Sequence, residues 1–264
     1  MEQLNDLIRA QLKRELIRDR GLPFEQEFRR TTDLERSILD QFGQSGAEFI
    51  VSQNNFVPSF DATCPWQLEG LAAVDAVDKV LSPLRRLLPE FVSTLEERIQ
   101  WVVPVRSEGD WKLVYLVDRT LYDERPYYGL IVGGAPNCSP RLSDRAESLG
   151  WTVPQSMKKL CLVHDGFGAV DGGILSTRYL VDLGEIMDPI AKEQGFVPDD
   201  YEFQDLLEFC SDGAGNCQAF HRNSRDDADP YTVDWDHETR EISCEMSFFE
   251  FVDERLLGQI LDEE

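Results

Sequence analysis

The apolar positions fall into runs with two different periods, and the period predicts the elements. Over residues 3–17, Leu4, Ile8, Leu12 and Leu16 recur four apart with Leu7 and Ile17 beside them, which gives a helix one apolar face. Gly21 and Pro23 end it, and "TTDLERSILDQF" predicts a second helix that starts on Thr or Asp with a Glu soon after, in the manner of a capping box. "FIVSQNNFVPSFDATCP" breaks this period and reads as strand or loop. From Trp66 to Ile99 the spacing of three and four returns, and Pro83 and Pro89 cut that stretch into at least two helices. "WKLVYLVDR" and "YYGLIVGG" alternate or run apolar over strand lengths and predict a pair of strands joined through "TLYDERP". "GGAPNCSP", residues 133–140, clusters Gly, Pro, Asn and Ser and is the strongest boundary signal in the chain.

Beyond that boundary, "SDRAESLGW" predicts a short helix ended by Gly150. "VPQSMKKLCLVHDGFG" predicts another, with Pro154 in its first turn and Gly166 past its end. "GGILSTRYLVDL" supplies a short strand and "IMDPIAKEQG" a helix; "LLEFC", "NCQAF" and "YTVDWD" follow as three strands. Asp212, Gly213 and Gly215 suit a hairpin turn between the first two of these, because such turns need positive φ. "SFFEFVDERLLGQIL" closes the chain as an amphipathic helix.

Composition adds few constraints and charge adds one. A chain of 264 residues with 42% hydrophobic positions can bury a sizeable core as one large domain or two ordinary ones. No run of about 18 apolar residues occurs, and the first residues lack the apolar core of a secretory leader, so a cytoplasmic location is expected. The six cysteines form no CxxC pair and read as reduced, mostly buried thiols. Net charge is -24, and it is unevenly spread: residues 1–180 hold 21 basic and 26 acidic side chains, residues 181–264 hold 5 and 24. A field of that sign repels nucleic acid and anionic lipid and speeds encounter with a basic partner, so neither nucleic acid nor membrane is an expected partner.

The motifs that carry chemistry are weak. Gly213-Ala214-Gly215 has no GxxxxGK[ST] around it and runs from strand to strand, so it is no phosphate loop. His164, His221 and His237 are the only histidines, and "DHETRE" lacks the second His of a zincin. Cys210 and Cys217 supply two thiolates where a closed zinc site needs four ligands, and the aspartates of residues 226–236 lack the spacing of a calcium loop. No GxSxG occurs. The expectation is therefore a protein without catalytic residues, metal or cofactor.

Three blocks in order carry a resemblance. "RLSDRAESLGWTVPQSMKKLCLVHDGFG", "LLEFCSDGAGNCQAFHRN" and "PYTVDWDHETREISCEMSFFEFVDERL" together resemble the SMI1/KNR4 (SUKH) superfamily over residues 140–264. The likeness covers its helix, Gly, hydrophobic-Pro step and helix, its Asp-Gly-x-Gly hairpin turn, and its terminal Ser-Phe-x-x-Phe helix. The spacing from 172 to 206 is longer than in the short members, and the motifs leave residues 1–139 uncovered as a helical and strand extension or domain of unknown type. The resemblance implies an α+β fold, a mixed curved sheet with helices packed on one side. It also implies a binding protein rather than an enzyme: an immunity protein that neutralises a cognate toxin, such as a nuclease or another cytoplasm-acting effector, in competition between bacteria. The alternative is an intracellular regulatory or scaffold module of the same fold. With the acidic C-terminal third, a basic toxin is the expected partner. Asp212, Asp226, Asp227, Asp229 and Asp236, with Tyr231 as an anchor, are the expected contact residues.

Overall fold

The computed structural model describes residues 48–49, 64–68, 71–107, 110–119, 128–169, 173–194, 202–211, 215–224, 226–236, 238–239, 241–243 and 246–261. The helices expected over 3–17 and 31–42 lie outside these residues.

Two five-stranded antiparallel sheets form the frame. The first has the order β1 (Glu48–Phe49), β2 (Ile99–Ser107), β3 (Asp110–Asp118), β4 (Tyr128–Gly134), β5 (Phe167–Gly168). The second holds β6 (Val181–Asp182), β7 (Leu206–Ser211), β8 (Cys217–His221), β9 (Thr232–Trp235) and β10 (Ile242–Ser243), in the order β10-β9-β8-β7-β6. Ile174 joins the two sheets: it bridges Phe167 of β5 on one side and Cys210 of β7 on the other. Backbone bonds hold the seam, from Ile174 N to Phe167 O at 2.7 Å and from Leu175 N to Phe209 O at 2.8 Å.

Around the sheets lie α1 (Ala73–Leu81), α2 (Pro89–Arg98), α3 (Asp144–Ser148), α4 (Gln155–Cys161), α5 (Leu183–Gln194) and α6 (Phe248–Leu261). The breaks at Pro83 and Pro89, the β3–β4 pair, the β7–β8 hairpin and the closing helix all fall where the periodicity puts them. Gly150 and Gly166, both at positive φ, follow α3 and α4, and Gly215 at φ +116° lies in the β7–β8 turn. Ser247 and Glu250 open α6 as a reciprocal capping box: Ser247 Oγ accepts from Glu250 N and Glu250 Oε2 accepts from Ser247 N.

β2 is the longest strand that the apolar pattern does not predict. Its Ile99 closes the helical stretch that begins at Trp66, and the strand carries Pro104 in its interior, where proline is seldom found. In the fold, Ile99 leaves α2 with an extended backbone and the strand runs on through Pro104, which lies opposite Leu113 of β3. Among the described residues, β1 pairs with β2 at Val105 and Arg106.

The α+β class is as expected, with two differences of detail. Every pairing among the described strands is antiparallel rather than mixed. The second sheet is also covered on both faces. Leu207, Phe209 and Phe220 enter the main core with Phe248, Val252 and Leu256 of α6, while Leu206, Ala219, Val233 and Trp235 pack with Leu183 of α5 and Phe203. Burial on both faces explains why "LLEFC" has no alternation. The main core runs from Trp66 through Leu81, Phe91 and Tyr115 to Leu160 and Ile260, so elements before and after residues 133–140 share it.

Candidate functional site

The acidic loop after β8 is built on a short 3-10 turn, Arg222–Ser224. Ser224 Oγ donates to His221 O at 3.0 Å, and Asp227 N donates to Ser224 O at 3.0 Å, turning the chain outward. Asp226, Asp227, Ala228 and Asp229 are all exposed, and Tyr231, with 62% of its surface open, follows them.

Three anchors brace this loop. Lys159 of α4 donates Nζ to Ala228 O at 3.1 Å and lies over the Phe249 ring, 5.6 Å from its centroid. Asp229 Oδ1 accepts from Phe249 N at 2.9 Å and so caps the start of α6, where the helix dipole favours a carboxylate. Phe248 N donates to Pro230 O at 2.8 Å and Thr232 N to Met246 O at 2.9 Å, with Tyr231 bridged to Ser247 between them. The loop is thus a fixed projection whose exposed ends are carboxylates and one aromatic ring.

Of the expected contact residues, Asp226, Asp227, Asp229 and Tyr231 come together here. Asp229 is engaged in capping, so its carboxylate is partly committed to the fold. Asp236 stands at the far end of β9, four residues or about 13 Å away along a strand. Its Oδ1 accepts from Glu238 N at 2.7 Å and Thr239 N at 2.9 Å, which closes the turn into β10. Asp212 lies outside the described residues. Two further residues belong to the surface: Glu250, exposed in the first turn of α6, and the brace Lys159. The Ser-x-x-Glu spacing is a local signal for the first. No local signal marks the second, since its partner is 69 residues away.

A second feature is a cleft of about 750 Å³ between the start of β3, the end of β4, the loop after it, and residues 173–179. Asp165 ties two of its walls together. Its carboxylate accepts from Asn137 Nδ2 at 2.7 Å, Thr177 N at 2.7 Å and Thr177 Oγ1 at 3.0 Å. Cys161 Sγ lies 3.7 Å away, and the thiol is pushed well up by burial and then by that carboxylate. Behind the cleft, His164 is fully buried between Trp66, Tyr115 and Phe167. Its Nδ1 lies 2.8 Å from the carbonyl of Gly134 and must carry the proton; its Nε2, 2.7 Å from Tyr115 Oη, accepts from the phenol. Burial holds this imidazole down to about 4, against the partial support of the Gly134 carbonyl. His164 is therefore a neutral core residue.

None of the five described cysteines is in a disulfide, and Cys161, Cys210 and Cys217 are buried. Cys210 pairs with Gln218 and Cys217 with Ser211, so the two thiols do not oppose each other across the hairpin. No helix among the described residues is long and apolar enough to cross a membrane. Compared with protein-family models, with curated proteins and with solved structures, the chain matches none of them.

Proposed function

We propose that this protein is an immunity protein that binds a basic bacterial toxin directly and neutralises it in the cytoplasm. The observation that carries the reading is the braced acidic loop: Asp226 and Asp227 are exposed on the same short stretch as Tyr231, on a backbone pinned to α4 and α6. Preorganised carboxylates steer a cationic surface into place, and a fixed aromatic supplies the kind of anchor that dominates contact energy. The resemblance of residues 140–264 to the SUKH superfamily supports the same reading, and the concentration of acid after residue 180 supports the sign of the partner. An inhibitor of a nuclease gains by presenting carboxylates to the Lys and Arg that hold phosphate.

The test is capture of the tagged full chain from its native cells at moderate salt. The expected result is one basic protein in stoichiometric amount, toxic when expressed alone and harmless when co-expressed with this chain. Protection should be weakened by the triple change Asp226→Asn, Asp227→Asn and Tyr231→Ala. Recovery of several housekeeping proteins instead, with no toxic partner, would overturn the immunity reading in favour of a regulatory module.

A further inference from the structure

The geometry points to the cleft above β3 and β4 as a binding site for a small anionic ligand, a phosphate or carboxylate carried on a flat apolar group. The cleft is independent of the toxin reading, and its lining shares no residue with the acidic loop. The volume, about 750 Å³, lies in the range of small-molecule sites, roughly 300–1,000 Å³. Its walls supply both halves of such a ligand's chemistry. Trp111, only 8% exposed, with Pro136 and Phe167 forms apolar lining, and Tyr179 presents an exposed ring at the edge. Lys112, Arg141 and Arg178 line the same space.

Three cations in one cleft run against the character of a chain with net charge -24. Among the described residues, two carboxylates line the cleft with them, and both are engaged. Asp165 is engaged by Asn137 and Thr177. Asp110 Oδ2 pairs with Arg178 Nη1 at 3.1 Å, in a bridge whose side chains are 59% and 60% exposed. Arg141 pairs with Glu147 at 2.8 Å, and its own side chain is largely exposed. Such exposed pairs are weak, so an incoming anion can take over a guanidinium from its carboxylate at little cost. Arg178 is already oriented: its guanidinium lies 4.7 Å from the centroid of the Tyr179 ring, leaving its planar fork to receive a phosphate or carboxylate edge-on. At physiological salt the Debye length is about 8 Å, so the cations that line the cleft, rather than distant acidic residues, set the potential a ligand meets inside it.

The experiment is calorimetric titration of the full chain with phenyl phosphate, with inorganic phosphate as the ring-less comparison. The expected result is saturable 1:1 binding of phenyl phosphate, weakened at least tenfold in Arg178→Ala and strengthened about threefold or more in Asp110→Asn, which releases Arg178 from its competitor. Inorganic phosphate should bind at least tenfold more weakly than phenyl phosphate. Both substitutions fall on exposed side chains, and near-ultraviolet circular dichroism checks that the fold is kept. Absence of saturation, equal binding of the two phosphates, or an Asp110→Asn variant no tighter than the parent would each overturn the assignment.

Discussion

His164 shows how one side chain links burial to pH. Its imidazole is held down to about 4 in the fold, against an ordinary value of 6.5. The unfolded chain therefore takes up a proton that the folded chain refuses. Stability from this residue is complete above the ordinary value, is lost as pH falls toward about 4, and changes no further below that. The difference corresponds to about 3 kcal/mol in all, of which about 2 should be lost between pH 7 and pH 5. Glu208 and Asp253 act in the opposite sense, because burial raises both and their neutral forms suit the fold. Urea unfolding of the parent and of His164→Gln at the two pH values isolates the histidine: the variant should be less stable throughout and should show a flatter pH dependence. A parent and variant with the same slope would refute the assignment. The site of this residue also explains the Gly-Gly pair at the end of β4. A Cβ on Gly133 would stand 2.3 Å from His164 Nδ1, and one on Gly134 would stand 2.1 Å from the carbonyl oxygen of Asp165. "GGAPNCSP" thus reads as a linker from composition, while its first two residues are glycine so that residues 164–166 can lie against the strand.

Among the elements, α2 and α6 are held together by a cap that crosses the chain. The two helices run side by side, and Asp253 of α6 accepts from Phe91 N at 2.8 Å and Glu90 N at 3.2 Å, satisfying the first turn of α2. Leu88, at the N-cap position itself, contributes no side-chain bond. Asp253→Ala leaves two backbone donors near the core unpaired and should cost about 2 kcal/mol, seen as a lower urea midpoint with an unchanged slope. Asp253→Asn keeps one acceptor oxygen and should cost less. The local cap of α6, Ser247 with Glu250, was legible as Ser-x-x-Glu, whereas the cap of α2 was not, because its donor and acceptor lie 162 residues apart. β2 was missed for a related reason. Trp101, Val102, Val103 and Val105 favour a strand, but Pro104 interrupts the run, and pairing along most of β3 carries the strand through it.

For the whole molecule, the charge and the braced loop make a kinetic prediction. If Asp226 and Asp227 steer a basic partner, its association rate with the full chain should fall as salt rises. The double variant Asp226→Asn, Asp227→Asn should associate several-fold more slowly at low salt and show a flatter salt dependence, with its dissociation rate nearly unchanged. Tyr231→Ala should do the reverse, speeding dissociation and leaving the salt slope intact. Stopped-flow fluorescence separates the two. An unchanged salt slope in the double variant would mean that the acid of this loop serves solubility and not recognition.

The amino-acid pattern by itself determined the elements whose information is local. The helical spacing predicted α1, α2 and α6, the apolar runs predicted β3, β4, β7, β8 and β9, and Gly150 marked the end of α3, whereas α4 ends at Cys161, five residues before Gly166. It also placed Asp226, Asp227, Asp229 and Tyr231 in one stretch, since they are neighbours in the chain. The tertiary structure alone decided what depends on segments far apart. It stitched two sheets through Ile174, placed α5 and α6 on opposite faces of the second sheet, and assigned Asp229 to a helix cap and Lys159 to the brace. It also built the cleft where Asp110 meets Arg178 across 68 residues. The division has a physical cause. Propensity, periodicity and capping act within a few residues, whereas sheet order, core sharing and ion pairs are settled only when distant apolar faces are removed from water together.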